Sequence, residues 1–227
     1  MTWTKICGTT NLADAKLAVS AGADAVGFVF APSPRQIRQE VAAEIVAALP
    51  ANIRKIGVTV NQSPEEVAKL AQDVGLTGIQ LQGDEAPDQL WAYRSALAPY
   101  MIIKTLQARQ VLAGGEDYLW QYVREAEFFD ALLLDAGVPG RPGGTGVAFD
   151  WNAMAPVVAR IKQWIPVIIA GGLTPVNVPD ALRLFEPWGV DVVSGVESAR
   201  GRKDAAKMWA FVSAVRNAPV SQVAGSD

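Results

Sequence analysis

The stretch PVIIAGGLTPVNVPDALRLF (166–185) holds one complete unit of the predicted fold. It begins with a short aliphatic run, typical of a strand that is buried on both faces. Two glycines then predict a tight loop, and TPVNVPDALRLF (174–185) predicts a helix. A strand, a loop and a helix in this order indicate a parallel α/β protein.

The same unit recurs along the whole chain. Amphipathic segments separate the apolar runs, each of which is five to seven residues long. The runs are TKICG (4–8), AVGFVF (25–30), KIGVTV (55–60), GIQLQG (78–83), MIIKTL (101–106), ALLLDA (131–136), PVIIAGG (166–172) and VDVVSGV (190–196). Eight strands in 227 residues predict a single-domain (β/α)8 TIM barrel over residues 1–216, rather than a doubly wound open sheet. Residues 217–227 are predicted to form a flexible C-terminal tail.

Helix signals lie between the predicted strands. SPEEVAKLAQDVG (63–75) offers Ser63 as an N-cap, Pro64 at the first helical position and Gly75 as a C-cap. After the fifth strand, EDYLWQYVREA (116–126) is the predicted helix.

Composition excludes several classes of function. The net charge is −3 and no basic run is present, which argues against nucleic-acid binding. One cysteine cannot form an intramolecular disulfide, and a chain with no histidine lacks the usual zinc ligands, so no metal site is predicted. The N-terminus is too polar for a signal peptide, and no apolar run reaches about 18 residues. We therefore expect a cytoplasmic protein with no membrane partner.

Cys7 lies at the carboxyl end of the first predicted strand. Alternation along a strand places Lys5 and Cys7 on the same face, where the ammonium is expected to favour the thiolate and lower the pKa of the thiol. A buried structural cysteine is the alternative interpretation.

Asp135 ends the apolar run LLLD (132–135) at the carboxyl end of the sixth strand. A carboxylate after three leucines is costly unless it is paired, hydrogen-bonded or at the barrel mouth. A capping residue and an active-site acid both fit this position.

Three glycine-containing loops point to a phosphate site. RPGGTG (141–146) supplies Gly143, Gly144, Thr145 and Gly146, AGGLTPVNV (170–178) supplies Gly171 and Gly172, and SGVES (194–198) supplies Ser194 and Gly195. In a TIM barrel, phosphate is expected near the loops after strands seven and eight. Small residues and helix N-termini in these loops can bind it without a basic surface.

Other polar residues have less distinct signals. Arg35, in a loop stiffened by prolines (FAPSPRQI, 30–37), is either a carboxylate-binding fork or an ordinary surface arginine. Asp24 and Asp191 are placed at the amino ends of strands two and eight and are interpreted as structural. Gln80 and Gln82 share one face of strand four, with Gln82 nearer the mouth.

Together these stretches resemble the phosphoribosylanthranilate isomerase family of tryptophan biosynthesis. The stretches are KICG (5–8), GFVFAPSPR (27–35), QLQGDE (80–85), LLLD (132–135), GGTGVAFDW (143–151), AGGLTPVNV (170–178), DVVSGVES (191–198) and GRKD (201–204). They occur in order over nearly the whole chain. The resemblance implies an Amadori rearrangement of N-(5-phosphoribosyl)anthranilate, with Cys7 as general base, Asp135 as general acid and Arg35 positioning the anthranilate.

The implied chemistry fits these residue types. An acid protonates the ring oxygen and opens the furanose to an iminium ion, and a base then removes the acidified C2 proton, so the resemblance implies no metal and no organic cofactor. The implied ligand is a small phosphosugar, and the oligomeric state is left open as monomer or homodimer. The chain departs from the family at Gln82, where histidine is usual, and at Thr59, where phenylalanine is usual.

Three other functions are alternatives to this isomerase. A dual-substrate isomerase that also serves histidine synthesis uses an aspartate pair, whereas the first-strand position here is Cys7. Indole-glycerol-phosphate synthase needs a longer chain and a lysine and glutamate set. A barrel that binds a phosphosugar without catalysis is motivated only by Gln82.

Overall fold

The computed structural model describes residues 1–136 and 150–218, with the side chain of Glu116 excepted. Within these ranges eight parallel strands close into a barrel in chain order, and the helices pack around it. The predicted single TIM barrel is therefore confirmed. The strands are β1 (Trp3–Ile6), β2 (Ala25–Val29), β3 (Arg54–Thr59), β4 (Gly78–Leu81), β5 (Met101–Gln107), β6 (Ala131–Asp135), β7 (Val167–Ile169) and β8 (Gly189–Val192).

The helices alternate with these strands. They are α1 (Leu12–Ser20), α2 (Gln39–Ala47), α3 (Pro64–Val74), α4 (Leu90–Leu97), α5 (Ala108–Val123), α6 (Trp151–Ile161), α7 (Val178–Phe185) and α8 (Ala205–Arg216). Among the helices of the described ranges, none is both long and apolar enough to cross a membrane. The tail predicted for 217–227 lies outside the described residues from 219 onward, so it stays a prediction.

A small hairpin is added after β8. A 3-10 turn (Ser194–Val196) leads into β9 (Glu197–Ala199) and β10 (Arg202–Lys203), which pair in antiparallel fashion. The hairpin returns the chain to α8 and places Glu197 opposite Lys203.

Local sequence explains the helix boundaries. In α3 the Ser63 Oγ accepts a hydrogen bond from the Glu66 N–H, and the Glu66 carboxylate accepts one from the Ser63 N–H, which forms a capping box. Gly75 ends α3 with a φ of 75°, which glycine adopts at little cost. The predicted helix 116–126 matches the part of α5 that follows the non-helical Gly115 and ends at Val123, whereas the helical part from Ala108 to Gly114 was not predicted.

Two apolar layers hold the barrel together. The larger lies between the outer faces of the strands and the helices. The smaller fills the barrel interior and includes Ile56, Ile103, Leu133 and Ile168. Alternation along β6 then places Asp135 on the same inward face as Leu133, two residues closer to the mouth. The barrel interior is thus apolar in its middle and polar at the carboxyl ends of the strands, where the candidate site lies.

A fully buried ion pair links β5 to the loop after β4. The Lys104 Nζ lies 2.5 Å from Glu85 Oε2 and donates to the Gly83 carbonyl at 2.8 Å. The other Glu85 oxygen accepts the backbone N–H groups of Asn61 and Gly83. This pair fixes the loop that follows Gln82.

We expect Lys104→Met to lower the free energy of unfolding by about 3 kcal/mol, because it leaves the Glu85 carboxylate buried without its cation. Urea unfolding followed by circular dichroism measures this change. Lys69→Met is the matched control, since the Lys69–Asp73 pair is exposed and should contribute below about 0.5 kcal/mol. Equal losses in the two variants would contradict this account of the buried pair.

Candidate active site

A cleft of about 540 Å³ opens at the carboxyl ends of the strands. Its polar lining comes from five strands or their following loops. These residues are Cys7, Ser33, Arg35, Gln80, Gln82, Asp135 and Asp191. Residues that are far apart in sequence are therefore brought to one surface, as expected for the catalytic face of this fold.

Cys7 follows β1 directly and is fixed by its backbone, because its N–H donates to the Val192 carbonyl at 2.9 Å. Its side chain is buried at the floor of the cleft. Gly27 on β2 makes room for it, since a Cβ at that position would lie 2.5 Å from the Cys7 Sγ. A side chain at position 27 would therefore collide with the sulfur of Cys7.

Lys5 and Asp191 form a buried ion pair next to Cys7. The Lys5 Nζ lies 2.8 Å from Asp191 Oδ1, and both side chains are buried. Burial opposes the Lys5 charge, yet attraction to Asp191 and to Cys7 prevails and raises the pKa of Lys5. Lys5 therefore stays an ammonium.

The expected pKa shift of Cys7 was wrong in sign. Burial raises the pKa of the thiol, Lys5 opposes this shift, and Asp191 adds to it. Lys5 does lie beside Cys7 as predicted, but it already has an anionic partner. Hence the thiol form predominates near neutral pH, and the thiolate appears as pH rises.

The interpretation of Asp191 as a residue at the far end of the barrel was also wrong. Asp191 lies within β8, in register with Lys5 on β1, and lines the cleft. The strand begins at Gly189, so Asp191 is its third residue and points inward. By contrast, Asp24 accepts from the Thr4 N–H and from Arg216, in keeping with a structural role.

Asp135 lies at the end of β6 and is buried at the mouth. Gln82 Nε2 donates to Asp135 Oδ2 at 3.4 Å, and Gln80 Nε2 donates to Gln82 Oε1 at 2.6 Å. Because a carboxylate only accepts, this contact sets the amide orientation of Gln82 and in turn that of Gln80. The three side chains therefore form one chain of hydrogen bonds that ends at Asp135.

A smaller cavity of about 280 Å³ adjoins the cleft and shares Asp135 and Asp191 with it. Gly171, Gly172 and Ser194 line this cavity. Gly171 has a φ of 83°, and a Cβ there would lie 2.4 Å from the backbone of Ala136.

Gly195 lies directly after Ser194, and a Cβ on it would come 1.9 Å from the Leu173 carbonyl oxygen. The loops after β7 and β8 therefore meet, and their role in binding phosphate stays a prediction. The predicted contributors Gly143, Gly144, Thr145 and Gly146 lie outside the described residues.

Arg35 lines the cleft from the loop after β2 and is mostly buried, so it is not an ordinary surface arginine. Its Nε donates to Glu197 Oε1 and its Nη2 donates to Glu197 Oε2, both at 2.7 Å. The guanidinium is therefore held by a carboxylate of this chain at the edge of the cleft.

Comparisons with known proteins agree with this geometry. The family model described as N-(5'phosphoribosyl)anthranilate (PRA) isomerase matches residues 4–214. This chain belongs to that isomerase family. It is 44% identical to the N-(5'-phosphoribosyl)anthranilate isomerase of Roseiflexus sp. (strain RS-1), over 94% of this chain and 97% of the relative.

Solved structures of this isomerase family share the fold. The phosphoribosyl anthranilate isomerase of Thermotoga maritima is 35% identical with a TM-score of 0.81, over 95% of this chain and 99% of that one. A second structure, in complex with reduced 1-(o-carboxyphenylamino)-1-deoxyribulose 5-phosphate, is 34% identical with a TM-score of 0.78, over the same shares. As a member of this family, the chain is an isomerase of tryptophan biosynthesis, which confirms the function predicted from sequence.

Sequence reasoning did not assign three polar residues of this isomerase site. Asp191 had a usable signal, because a carboxylate between Val190 and Val192 in a buried strand needs a partner. Glu197 and Lys203 stand in stretches that match the isomerase family, but they face each other only through the β9–β10 pairing. No local pattern predicts that contact.

Proposed function

We propose that Cys7 and Asp135 are the base and acid of an Amadori rearrangement of N-(5-phosphoribosyl)anthranilate to 1-(2-carboxyphenylamino)-1-deoxyribulose 5-phosphate. The observation that carries this proposal is that both side chains line one cleft, from β1 and β6. In the closed barrel these strands are separated by four strands on one side and two on the other.

Each group has a defined step. The protonated carboxyl of Asp135 donates to the ring oxygen as the C1–O bond breaks, which opens the furanose and leaves an iminium at C1 and nitrogen. The thiolate of Cys7 then removes the C2 proton, whose bonding electrons form a C1=C2 enolamine. Tautomerisation of the enolamine, with protonation at C1, gives the ketone. These proton transfers require no metal or organic cofactor.

The remaining residues hold the substrate. We assign the phosphate to the smaller cavity, which is lined by Gly171, Gly172 and Ser194. Gly195 follows Ser194, and close packing leaves no room for a side chain at Gly171 or at Gly195. Gly143, Gly144, Thr145 and Gly146 are proposed to complete that site. We assign the ring carboxylate to Arg35, at the edge of the larger cleft. Binding both ends places the reacting carbons between acid and base.

A coupled assay tests this proposal. Anthranilate, phosphoribosyl pyrophosphate and the transferase that joins them generate the labile substrate, and loss of its fluorescence is followed. We expect loss far above spontaneous breakdown, together with rescue of a tryptophan auxotroph that lacks the isomerase. A folded sample that binds the product but gives neither result would support the non-catalytic barrel instead.

The cellular setting follows from the same proposal. A pathway of small soluble intermediates fits a cytoplasmic enzyme with a phosphosugar as its partner. A structure of a relative is described as monomers generated from dimeric phosphoribosylanthranilate isomerase of Thermotoga maritima, which keeps the homodimer open beside the monomer. Sedimentation equilibrium of the purified chain decides between the two.

A further inference from the structure

The β9–β10 hairpin contributes a buried cluster of charges beside the cleft. Glu197 lies at its centre, with Arg35 bound bidentately on one side and Lys203 on the other. All three side chains are mostly buried. Burying three charges is costly, and such clusters do not by themselves add stability. Stability alone therefore does not explain this cluster, which points to a role in the adjacent cleft.

Several contacts immobilise Arg35. The Arg35 N–H donates to Ser33 Oγ at 3.1 Å, and the Ile37 N–H donates back to the Val29 carbonyl at 3.0 Å, which fixes the loop on β2. The stem of Arg35 crosses Gly8, where an added Cβ would lie 2.7 Å from the Arg35 Cδ. Glu197 binds the Nε and Nη2 atoms, so the guanidinium plane is fixed and Nη1 is the remaining nitrogen.

Lys203 connects this cluster to the strand that carries the proposed base. Its Nζ donates to the Cys7 carbonyl at 2.6 Å, to the Val193 carbonyl at 3.0 Å and to Glu197 Oε1 at 3.3 Å. The ends of β1 and β8 and the Glu197 carboxylate thus share one ammonium group. A shift of Glu197 would therefore move Arg35 relative to Cys7.

The charges also match the ligand. Arg35, Lys203 and Glu197 sum to one positive charge. The other cations of the hairpin, Arg200 and Arg202, are exposed and lie outside this buried cluster. One net positive charge suits a single aryl carboxylate, whereas two unpaired cations would attract any anion.

We propose that Glu197 and Lys203 are positioning residues that aim Arg35 at the ring carboxylate of the substrate. This inference rests on the proposed function and adds to it the source of selectivity for the carboxylated ring. Glu197 does not touch the substrate. It acts by holding the guanidinium in one plane and by neutralising the second cation.

The test compares two ligands on three proteins. The ligands are reduced 1-(2-carboxyphenylamino)-1-deoxyribulose 5-phosphate and the same compound made from aniline, which lacks the carboxylate. The proteins are the wild type, Glu197→Gln and the surface control Glu186→Gln, which removes a carboxylate paired with Lys162. Isothermal titration calorimetry gives the dissociation constants.

We expect Glu197→Gln to weaken binding of the carboxylated ligand by about tenfold or more and that of the aniline ligand by less than about threefold. Glu186→Gln should leave both constants unchanged. In turnover, the loss should fall mainly on KM. Arg35→Lys should reduce selectivity similarly, and the double variant should show little further loss because the two residues act as one unit.

Each other outcome has a definite meaning. Equal weakening of both ligands, or no weakening of either, overturns the positioning role. If Glu197→Gln does not fold, Glu197→Asp keeps the charge but withdraws the carboxylate by one methylene, and unchanged selectivity there overturns it equally. A wild type that does not prefer the carboxylated ligand contradicts the proposed function instead.

Discussion

Cys7→Ser is expected to lower kcat by about 10²- to 10⁴-fold, because the C2 proton then has no thiolate to receive it. A serine hydroxyl is far less acidic than a thiol and forms no useful anion in this pH range. The substitution is small, and the neighbouring space at Gly27 already fits a larger atom. The coupled fluorescence assay measures the loss.

The affinity for the reduced product analogue separates chemistry from structure in this variant. Cys7 is placed at the floor of the cleft and makes no assigned contact to phosphate or ring carboxylate, so the dissociation constant should change by less than about threefold. Cys7→Ala should behave like Cys7→Ser. Near-normal turnover in both variants would show that Cys7 is a structural cysteine and not the base.

Asp135→Asn is expected to lower kcat to a similar extent, about 10²- to 10⁴-fold, because an amide cannot deliver a proton to the ring oxygen. Asparagine keeps the size of the side chain and can still accept the hydrogen bond that Gln82 donates to Asp135. Steady-state assays at saturating substrate isolate this loss in kcat.

Gln82→Met is the matched control for the acid. It removes the donor to Asp135 Oδ2 but keeps the ionisable carboxyl group, so we expect a loss below about tenfold. A loss as large as that of Asp135→Asn would mean that orientation, not proton donation, dominates. Wild-type rates in Asp135→Asn would remove Asp135 from the mechanism.

The barrel and its catalytic face follow from periodicity in the sequence. Eight near-equal buried apolar runs favour a parallel barrel over a doubly wound open sheet, and alternation then places Cys7 and Asp135 at its mouth. Predicted strands such as 166–172 and 190–196 ran past the observed ends at Ile169 and Val192. The glycines and valines beyond those ends are apolar too, but they form the loops of the smaller cavity.

Contacts between distant segments could not be predicted in the same way. Asp191 finds Lys5 only when β8 closes against β1, so the net pKa shift of Cys7 depends on barrel closure. Likewise, Glu197 meets Arg35 across 162 positions of sequence. Sequence patterns identify which residues can react, whereas the folded structure determines which charged groups lie next to them.

The pH behaviour of the single cysteine tests the central claim most directly. Because catalysis requires Cys7 as a thiolate and burial raises the pKa of that thiol, the ionisation should lie above the ordinary value of about 8.5. The thiolate absorbance near 240 nm, taken as the difference between wild type and Cys7→Ser, reports this ionisation alone. We expect an inflection in kcat/KM at the same pH as the thiol titration, and we expect Cys7→Ser to lose this inflection. A kcat/KM profile with no inflection at the pH where the thiol titrates would contradict the assignment of Cys7 as the base.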